Sequence, residues 1–514
     1  MRARETWAVL AAALAARLGV VAWARGRFPA AGDGFYYDTI AKRIAEGHGY
    51  TWLWPDGAVT YAAHYPVGYP ALLGAAYALF GASVAAAMMT NALLGAAGAA
   101  AMHRLSLRAM PPKHALAAGL IVALHPALVP YTAALMTEGA TTSLLLIAAA
   151  CASAARVSER ARLFRVATGL VLGLATLVRP QCIALAPILG ALSVGPSRHL
   201  CHPEHPERCP PAHCPPAHCH PEGQRPEGSP MERGGSFVAS LLRMTKIARG
   251  RVSAAALVFG VALACCLPWT VRNCVRMQRC ALVSVNGGWN LLIGAQTAFG
   301  GWAEVAVPPP CRQVWSEAAK DLCFEHAARA TIAESPGTWL AHVPAKLGQT
   351  FDYIGAAPWY LHLSNAAAFD ERAKLALASL ETLVTRLLLA AALFASARFP
   401  GPRRRARIAF ACVGIAFALA VHAWVAYVAL AVALLLRGRR AFVEGPLLGP
   451  WTATLVLATA ATHAVFFGAG RYGLVVLPFV GALAASLGSE LPASSNVPTV
   501  RGSTPRKRSP AESA

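Results

Sequence analysis

Two aspartates, Asp33 and Asp38, stand just past the first apolar run of the chain, with Tyr36 and Tyr37 between them. A carboxylate can take the proton of a hydroxyl as that oxygen attacks, turning a poor nucleophile into a competent one. Held at a membrane surface beside aromatic rings, such a group suits chemistry on a lipid-borne substrate. Other ionisable residues punctuate the ends of apolar runs: Glu138, Arg179, Arg272 and Arg471, the last followed by Tyr472. Each has a plainer use. Asp33 fits a helix N-cap, Glu138 a helix start favoured by the dipole, and the arginines interfacial snorkelling. Tyr36, Tyr37, Trp52, Trp54, Trp289 and Trp302 anchor at an interface as readily as they stack on sugar faces. A lone His64 is more often structural than a metal ligand, since no matching set of four ligands is visible.

The elements that must hold these residues are membrane helices. Of 514 residues, 56% are hydrophobic and only 14% charged, and the mean hydropathy is +0.46. Apolar runs of roughly 18 residues or more recur throughout, and in hydrocarbon such runs must be helices to satisfy their own backbone. The reading is an all-α polytopic membrane protein with 11 to 13 spans. The net charge of +22 would raise nucleic acid as a partner in a soluble protein. Here the basic residues fall in short loops between apolar runs, so the positive-inside effect is the simpler cause.

Threading the spans by that effect makes residues 1–268 an N-terminal membrane module, with the polar loop 25–81 on the extracytoplasmic side of the inner membrane. Residues 269–374 are too polar to span and form a small outer domain, in which Cys274, Cys280, Cys311 and Cys323 could pair. Residues 375–488 form a second membrane module. The run 408–436 reads either as a tight pair of short helices or as one long tilted helix. Residues 196–251 are an inserted cytoplasmic segment rich in Pro, His and Cys. Its cysteines lack the paired spacing of a zinc site, and its composition points to disorder, as does that of the basic tail 489–514. In this threading Asp33, Glu138, Arg179, Arg272 and Arg471 all land on the outer side.

The first loop, Asp33…Tyr37…Ala41…Gly47-His-Gly-Tyr50…Pro66-Val-Gly-Tyr-Pro70…Phe80-Gly81, resembles that of the GT-C glycosyltransferases, in the branch of protein O-mannosyltransferases and lipid A aminoarabinose transferases. The stretch HPALVPYTAALMTE ending at Glu138, Leu177-Val-Arg-Pro180, Pro268-Trp-Thr-Val-Arg-Asn273, Ser284-Val-Asn-Gly-Gly-Trp-Asn290 with Gly294, and Arg471-Tyr472 with Pro478 follow in that family's order. The resemblance implies a GT-C-like bundle and inverting transfer of a sugar from a polyprenyl-phosphate donor to a lipid, polysaccharide or protein hydroxyl. Asp33 takes the catalytic position, and Glu138 an acidic position in the second outer loop, orienting the acceptor or helping to hold a divalent ion. The leaving phosphate needs cations where its charge develops, which suits the arginine fork. Arg179, Arg272 and Arg471 are the candidates, with Lys346 behind them and Tyr37, Asp38 and Tyr472 lining the substrate site. Many relatives carry a second acid directly after the first, where this chain has Gly34. No cofactor is fixed; a divalent metal is the option the acids leave open, with His64 where some relatives have a metal-binding or phosphate-site residue. Two rivals stand beside this reading: a transporter or flippase of lipid-linked sugars, and a non-catalytic protein that keeps the fold.

Overall fold

Alanine, leucine and valine dominate the apolar runs, and each run closes its backbone hydrogen bonds internally as a helix. The computed structural model describes residues 2–195, 233–353 and 355–488, with side chains from residue 3 and, in the second stretch, from 248. Helix α1 (Arg2–Ala24) is followed by α2 (Asp33–Ala45), a hairpin of β1 (Thr51–Leu53) and β2 (Val59–Tyr61), and α3 (Gly68–Phe80). Then come α4 (Val84–Ser106), α5 (Pro112–Leu124), α6 (Thr137–Ala155), α7 (Ala161–Val178) and α8 (Leu185–Leu192). Helix α9 (Arg233–Met277) leads to α10 (Gly287–Gln296), α11 (Glu317–Glu334), α12 (Pro336–Ala341), α13 (Val343–Phe351) and α14 (Ala356–Ser364). The chain ends through α15 (Glu371–Arg398), α16 (Arg404–Leu419), α17 (Ala423–Leu435), α18 (Gly438–Val443), α19 (Leu448–Val465) and α20 (Leu477–Ala485).

The protein is an all-α polytopic membrane protein. Among the described residues six helices are long and apolar enough to cross a bilayer: α1, α4, α6, α7, residues 248–277 of α9, and α15. Shorter apolar helices among the described residues are α3, α5, residues 180–192 and α17. Helix α6 is the most enclosed. Its apolar window is 72% buried, against at most 39% for the other long helices, so the residue at its start is held by protein on all sides.

Prolines set the breaks. Pro130 and Pro180 each open a short 3-10 turn, Pro130–Ala133 and Pro180–Ala184, because a proline cannot donate to the preceding turn. The run 408–436 proves to be a pair: α16 and α17 are separated at residues 420–422 and pack on each other. Two boundaries move. Helix α9 begins inside the segment read as inserted and continues past Trp269 to Met277, so the polar region starts about eight residues later than expected. Residues 196–232 and the tail from 489 lie outside the described residues. In the polar region the cysteines pair as Cys274–Cys280 and Cys311–Cys323. A small core of Leu292, Ile293, Val305 and Phe324 forms there, shared with Phe467 and Tyr472 from the C-terminal module.

Candidate active site

The first turn of α2 presents Asp33. Gly32, at φ +54°, occupies the N-cap and Asp33 is the first helical residue. The N-cap reading of Asp33 is therefore corrected: its carboxylate serves a different partner. Oδ2 lies 3.0 Å from Nη2 of Arg471, and Oδ1 receives a long contact of 3.4 Å from the Tyr65 hydroxyl. The side chain is 32% exposed.

Asp38 meets another fate. Five residues along a helix turn a side chain by about 140°, away from the first. Asp38 is buried, accepts from the Tyr77 hydroxyl at 2.6 Å and pairs with Lys42 at 2.7 Å. Its oxygens bind α2 to α3 and to its own last turn, so the expectation that Asp38 contacts substrate is corrected to a structural role. Tyr37 lies between them and is buried, its ring edge-on to Tyr65 and Tyr69. Burial and then the Asp33 carboxylate push the phenols of Tyr37 and Tyr65 well above the usual tyrosine range, so both stay protonated at neutral pH.

Gly34 explains the missing second acid. A Cβ there would stand 2.9 Å from the carbonyl oxygen of Leu135 and 2.9 Å from the Tyr360 hydroxyl. Helix α2 is packed so closely on the segment before α6 that no side chain fits beside Asp33.

Behind Asp33 stands a charged cluster drawn from distant parts of the chain. Glu138, only 1% exposed at the start of α6, places Oε1 3.0 Å from Nη2 of Arg179 and 3.3 Å from Nε of Arg471. The first contact is a hydrogen bond; the second is an ion pair, off line for hydrogen bonding. Oε2 accepts from Tyr131 at 2.8 Å. Arg471 thus bridges the two acids. The Tyr472 ring lies under both guanidinium groups, 4.7 Å from Cζ of Arg179 and 5.2 Å from Cζ of Arg471. It is backed in turn by His463, stacked at 4.3 Å. A carboxylate buried this deeply needs such compensation, because an unpaired charge there would cost several kcal/mol, roughly the penalty for stripping an ion of water. Glu138 is therefore a positioning residue for the arginines; with both oxygens engaged it is not free to orient an acceptor or hold a divalent ion, the roles expected of it.

Five expected site residues come together, Asp33, Glu138, Arg179 and Arg471 with Tyr472 beneath them, and the buried Tyr37 lies beside them in the field of Asp33, Glu138 and Arg471. Asp38, Arg272, Lys346 and His64 do not join. Arg272 donates to the Tyr50 carbonyl at 2.9 Å and sits among the rings of Tyr50, Tyr61 and Trp269. Its charge steadies the loop after α2 instead of facing the acids. Lys346 is fully buried and points at the last carbonyls of α19, Ala464 at 3.3 Å and Val465 at 3.4 Å. A cation at a helix C-terminus is stabilising there, and the substrate role expected of Lys346 is corrected to that one. His64 has backbone rather than ring contacts in common with an acid: Glu317 accepts from the amides of Ala63 and His64 at 2.6 and 2.9 Å. Among the described residues no three His, Cys, Asp or Glu side chains gather as a metal site. The two site carboxylates already face guanidinium groups, so this donor set does not fit a divalent ion, and the metal role of His64 finds no partners.

Two site residues went unrecognised in the sequence as polar partners, Tyr65 and Tyr131. Both lie inside the AAHYPVGYP and HPALVPY stretches, and the signal was only their closeness to those turns. What the cluster can do is clear from its valences. Among the described residues, Asp33 Oδ1 has one weak donor, and Nη1 of Arg471 and Nη1 and Nε of Arg179 have no protein acceptor. A partly exposed carboxylate and cationic donors without a protein acceptor thus stand within one cluster.

Residues 64–206 match the family model described as dolichyl-phosphate-mannose-protein mannosyltransferase. The matched stretch contains Glu138 and Arg179; Asp33 precedes it and Arg471 follows. No curated protein matches. Among solved structures, the chain is similar to the oligosaccharyltransferase AglB from Archaeoglobus fulgidus in complex with an inhibitory peptide and a dolichol-phosphate, at 13% identity and a TM-score of 0.42, covering 93% of this chain and 50% of that one. It is also similar to ArnT from Cupriavidus metallidurans bound to undecaprenyl phosphate, at 16% identity and a TM-score of 0.35, covering 93% of this chain and 77% of that one. The chain therefore spans about half the length of the archaeal enzyme it matches. With six helices long and apolar enough to cross a bilayer among the described residues, the chain is a polytopic membrane protein, and residues 64–206 are similar to the mannosyltransferase family model.

Proposed function

We propose that the protein is an inverting glycosyltransferase. It moves a sugar from a polyprenyl-phosphate carrier to an acceptor hydroxyl on the outer side of the cytoplasmic membrane, with Asp33 as general base. The observation that carries this reading is the unequal treatment of two acids joined by one arginine. Glu138 is enclosed and saturated, while Asp33 is half-open with an oxygen nearly free. The matched family's description, which names a dolichyl-phosphate-linked mannose, supports the donor class.

In the reaction the acceptor oxygen attacks the anomeric carbon as the bond from that carbon to the phosphate oxygen breaks. The acceptor proton passes to Asp33 Oδ1. The electron pair of the broken bond leaves with the polyprenyl phosphate, whose charge meets the unspent donors of Arg179 and Arg471. Such preorganised cations need no rearrangement when the charge appears. Glu138 holds both guanidinium groups in place, and Tyr472 supports them from below.

Transport is the rival with an observation behind it, since Arg17 is buried within α1. Its guanidinium, however, is spent on the carbonyls of Ala13, Ala123 and Val122 at 3.2, 2.9 and 3.4 Å, the last two being at the end of α5. That is a helix-closing role. The test of the proposal is Asp33→Asn in purified, folded protein supplied with lipid-linked sugar. A general base contributes about 100-fold or more, so transfer should fall at least that far; transfer at the wild-type rate overturns the assignment.

A further inference from the structure

From Asp33 a row of aromatic rings leads outward. Tyr65, whose hydroxyl contacts Asp33, stacks on Tyr36 with centroids 5.2 Å apart. Tyr36 lies 5.4 Å from Trp52, and Trp52 lies 6.3 Å from Trp54. Tyr36 and Trp54 are 39% and 46% exposed. The row crosses from α2 to the β1–β2 hairpin, so two separate elements contribute to one surface.

The hairpin itself sorts its side chains. Its register pairs Trp52 with Thr60 and Leu53 with Val59. Alternate residues of a strand point to opposite faces, which puts Trp52, Thr60 and Trp54 on one face and Leu53 and Val59 on the other. The indole nitrogen of Trp54 donates to the Thr60 hydroxyl at 2.9 Å, confirming that these two share a side. One face thus carries rings with hydroxyl and N–H groups between them, and the other carries exposed Leu53 and Val59 together with Tyr61 and the buried Thr51.

These faces suit different neighbours. A pyranose ring presents polarised C–H bonds on a flat side and hydroxyls around its edge. The negative face of an aromatic ring attracts the former, and adjacent polar side chains bind the latter. The Leu53 and Val59 side chains of the opposite face offer neither. We infer that the acceptor is a carbohydrate chain, laid along Tyr65, Tyr36, Trp52 and Trp54 with its reacting hydroxyl at Asp33. This inference rests on the transferase reading of that site and adds the substrate class. Continuity of the row with the candidate base is what distinguishes it from an interfacial anchor.

The test uses the full chain in phospholipid nanodiscs. Neutral hexasaccharides built from glucose, mannose and N-acetylglucosamine are the probes, with saturation-transfer NMR as readout. At least one should bind, and Trp52→Ala and Trp54→Ala should each weaken that binding about five- to tenfold, the scale of an aromatic contact. Leu53→Ser with Val59→Ser, on the opposite face, should leave it unchanged, and Asp33→Asn should leave it within about twofold while ending transfer. A second measurement addresses the bilayer. The emission lost in Trp52→Phe/Trp54→Phe should not be quenched by brominated phosphatidylcholine in the discs. Failure of every hexasaccharide to bind, or binding indifferent to both tryptophans, overturns the carbohydrate acceptor, as does strong quenching by the brominated lipid. Wild-type transfer by Asp33→Asn with hexasaccharide binding intact overturns the transferase role of Asp33 instead.

Discussion

Two acid–arginine networks lie in this protein, and they differ in how fully their hydrogen-bonding capacity is used. In the polar region, Asp321 accepts from the amides of Gly288 and Trp289 at 2.8 and 3.1 Å and pairs with Arg279 at 3.0 Å. Arg279 also reaches Glu325 and the Ala318 carbonyl, and Glu317 receives two amides of the loop before α3. Disulfides at Cys274–Cys280 and Cys311–Cys323 brace the same region. In the other network, Asp33–Arg471–Glu138–Arg179, both oxygens of the buried Glu138 are engaged while Asp33 stays partly open. The same residue types therefore knit the polar region together where most carboxylate oxygens have donors, and leave one carboxylate oxygen nearly free at Asp33.

The largest effect that could break this comparison comes from Glu138→Ala. Removing one member of a buried ion pair costs about 3–5 kcal/mol, here leaving Arg179 and Arg471 facing each other. The thermal unfolding temperature should fall sharply and transfer with it; a variant with unchanged unfolding would mean that Glu138 does not hold the arginines. Next is the contrast between the two aspartates. Asp33→Asn should lower transfer about 100-fold with little change in unfolding. Asp321→Asn should do the reverse, costing about 1–3 kcal/mol for the donors it leaves unsatisfied while donor turnover per folded molecule persists. Equal loss of activity in both would erase the distinction.

Gly34→Asp sharpens the account of the site. It adds the second acid that the resemblance led us to look for beside Asp33 but drives a side chain into Leu135 and Tyr360. Overpacking of this kind costs about 1–3 kcal/mol, so the variant should unfold earlier and transfer no faster; a gain in rate would show that the close approach yields easily. The smallest effect is electrostatic. Burial lowers the Lys346 ammonium to about 8, against about 10.4 in an unfolded chain. Between those values the unfolded state binds more protons, so stability should rise with pH across that window. Unfolding temperatures from pH 8 to 10 should show the slope in the wild type and lose it in Lys346→Met.

Much of the fold was legible because hydrocarbon admits few solutions. Long apolar runs had to be helices, and α1, α4, α6, α7 and α15 lie close to where the runs lie. Proline placed the breaks at Pro130 and Pro180. The pairing of α16 with α17 was undecided, because a run of that length accommodates either one tilted helix or a pair. Asp33, Glu138, Arg179 and Arg471 could be singled out since ionisable residues at the ends of apolar runs are costly and few.

The sequence by itself determined that this is a helical membrane protein with an acid, a set of arginines and a row of aromatics between its spans. Residue type and spacing alone could not rank the charged residues, for Asp33 and Asp38 read alike, as do Arg179 and Arg272; only the resemblance set Asp33 apart. Tertiary structure ranked them by giving Asp38 to Tyr77 and Lys42, Arg272 to the Tyr50 carbonyl, and Arg471 to two acids more than 300 residues away. The physical reason is that membrane partition acts on each residue separately and is written along the chain, whereas a hydrogen bond or ion pair belongs to two residues and exists only once packing has brought them within about 3 Å.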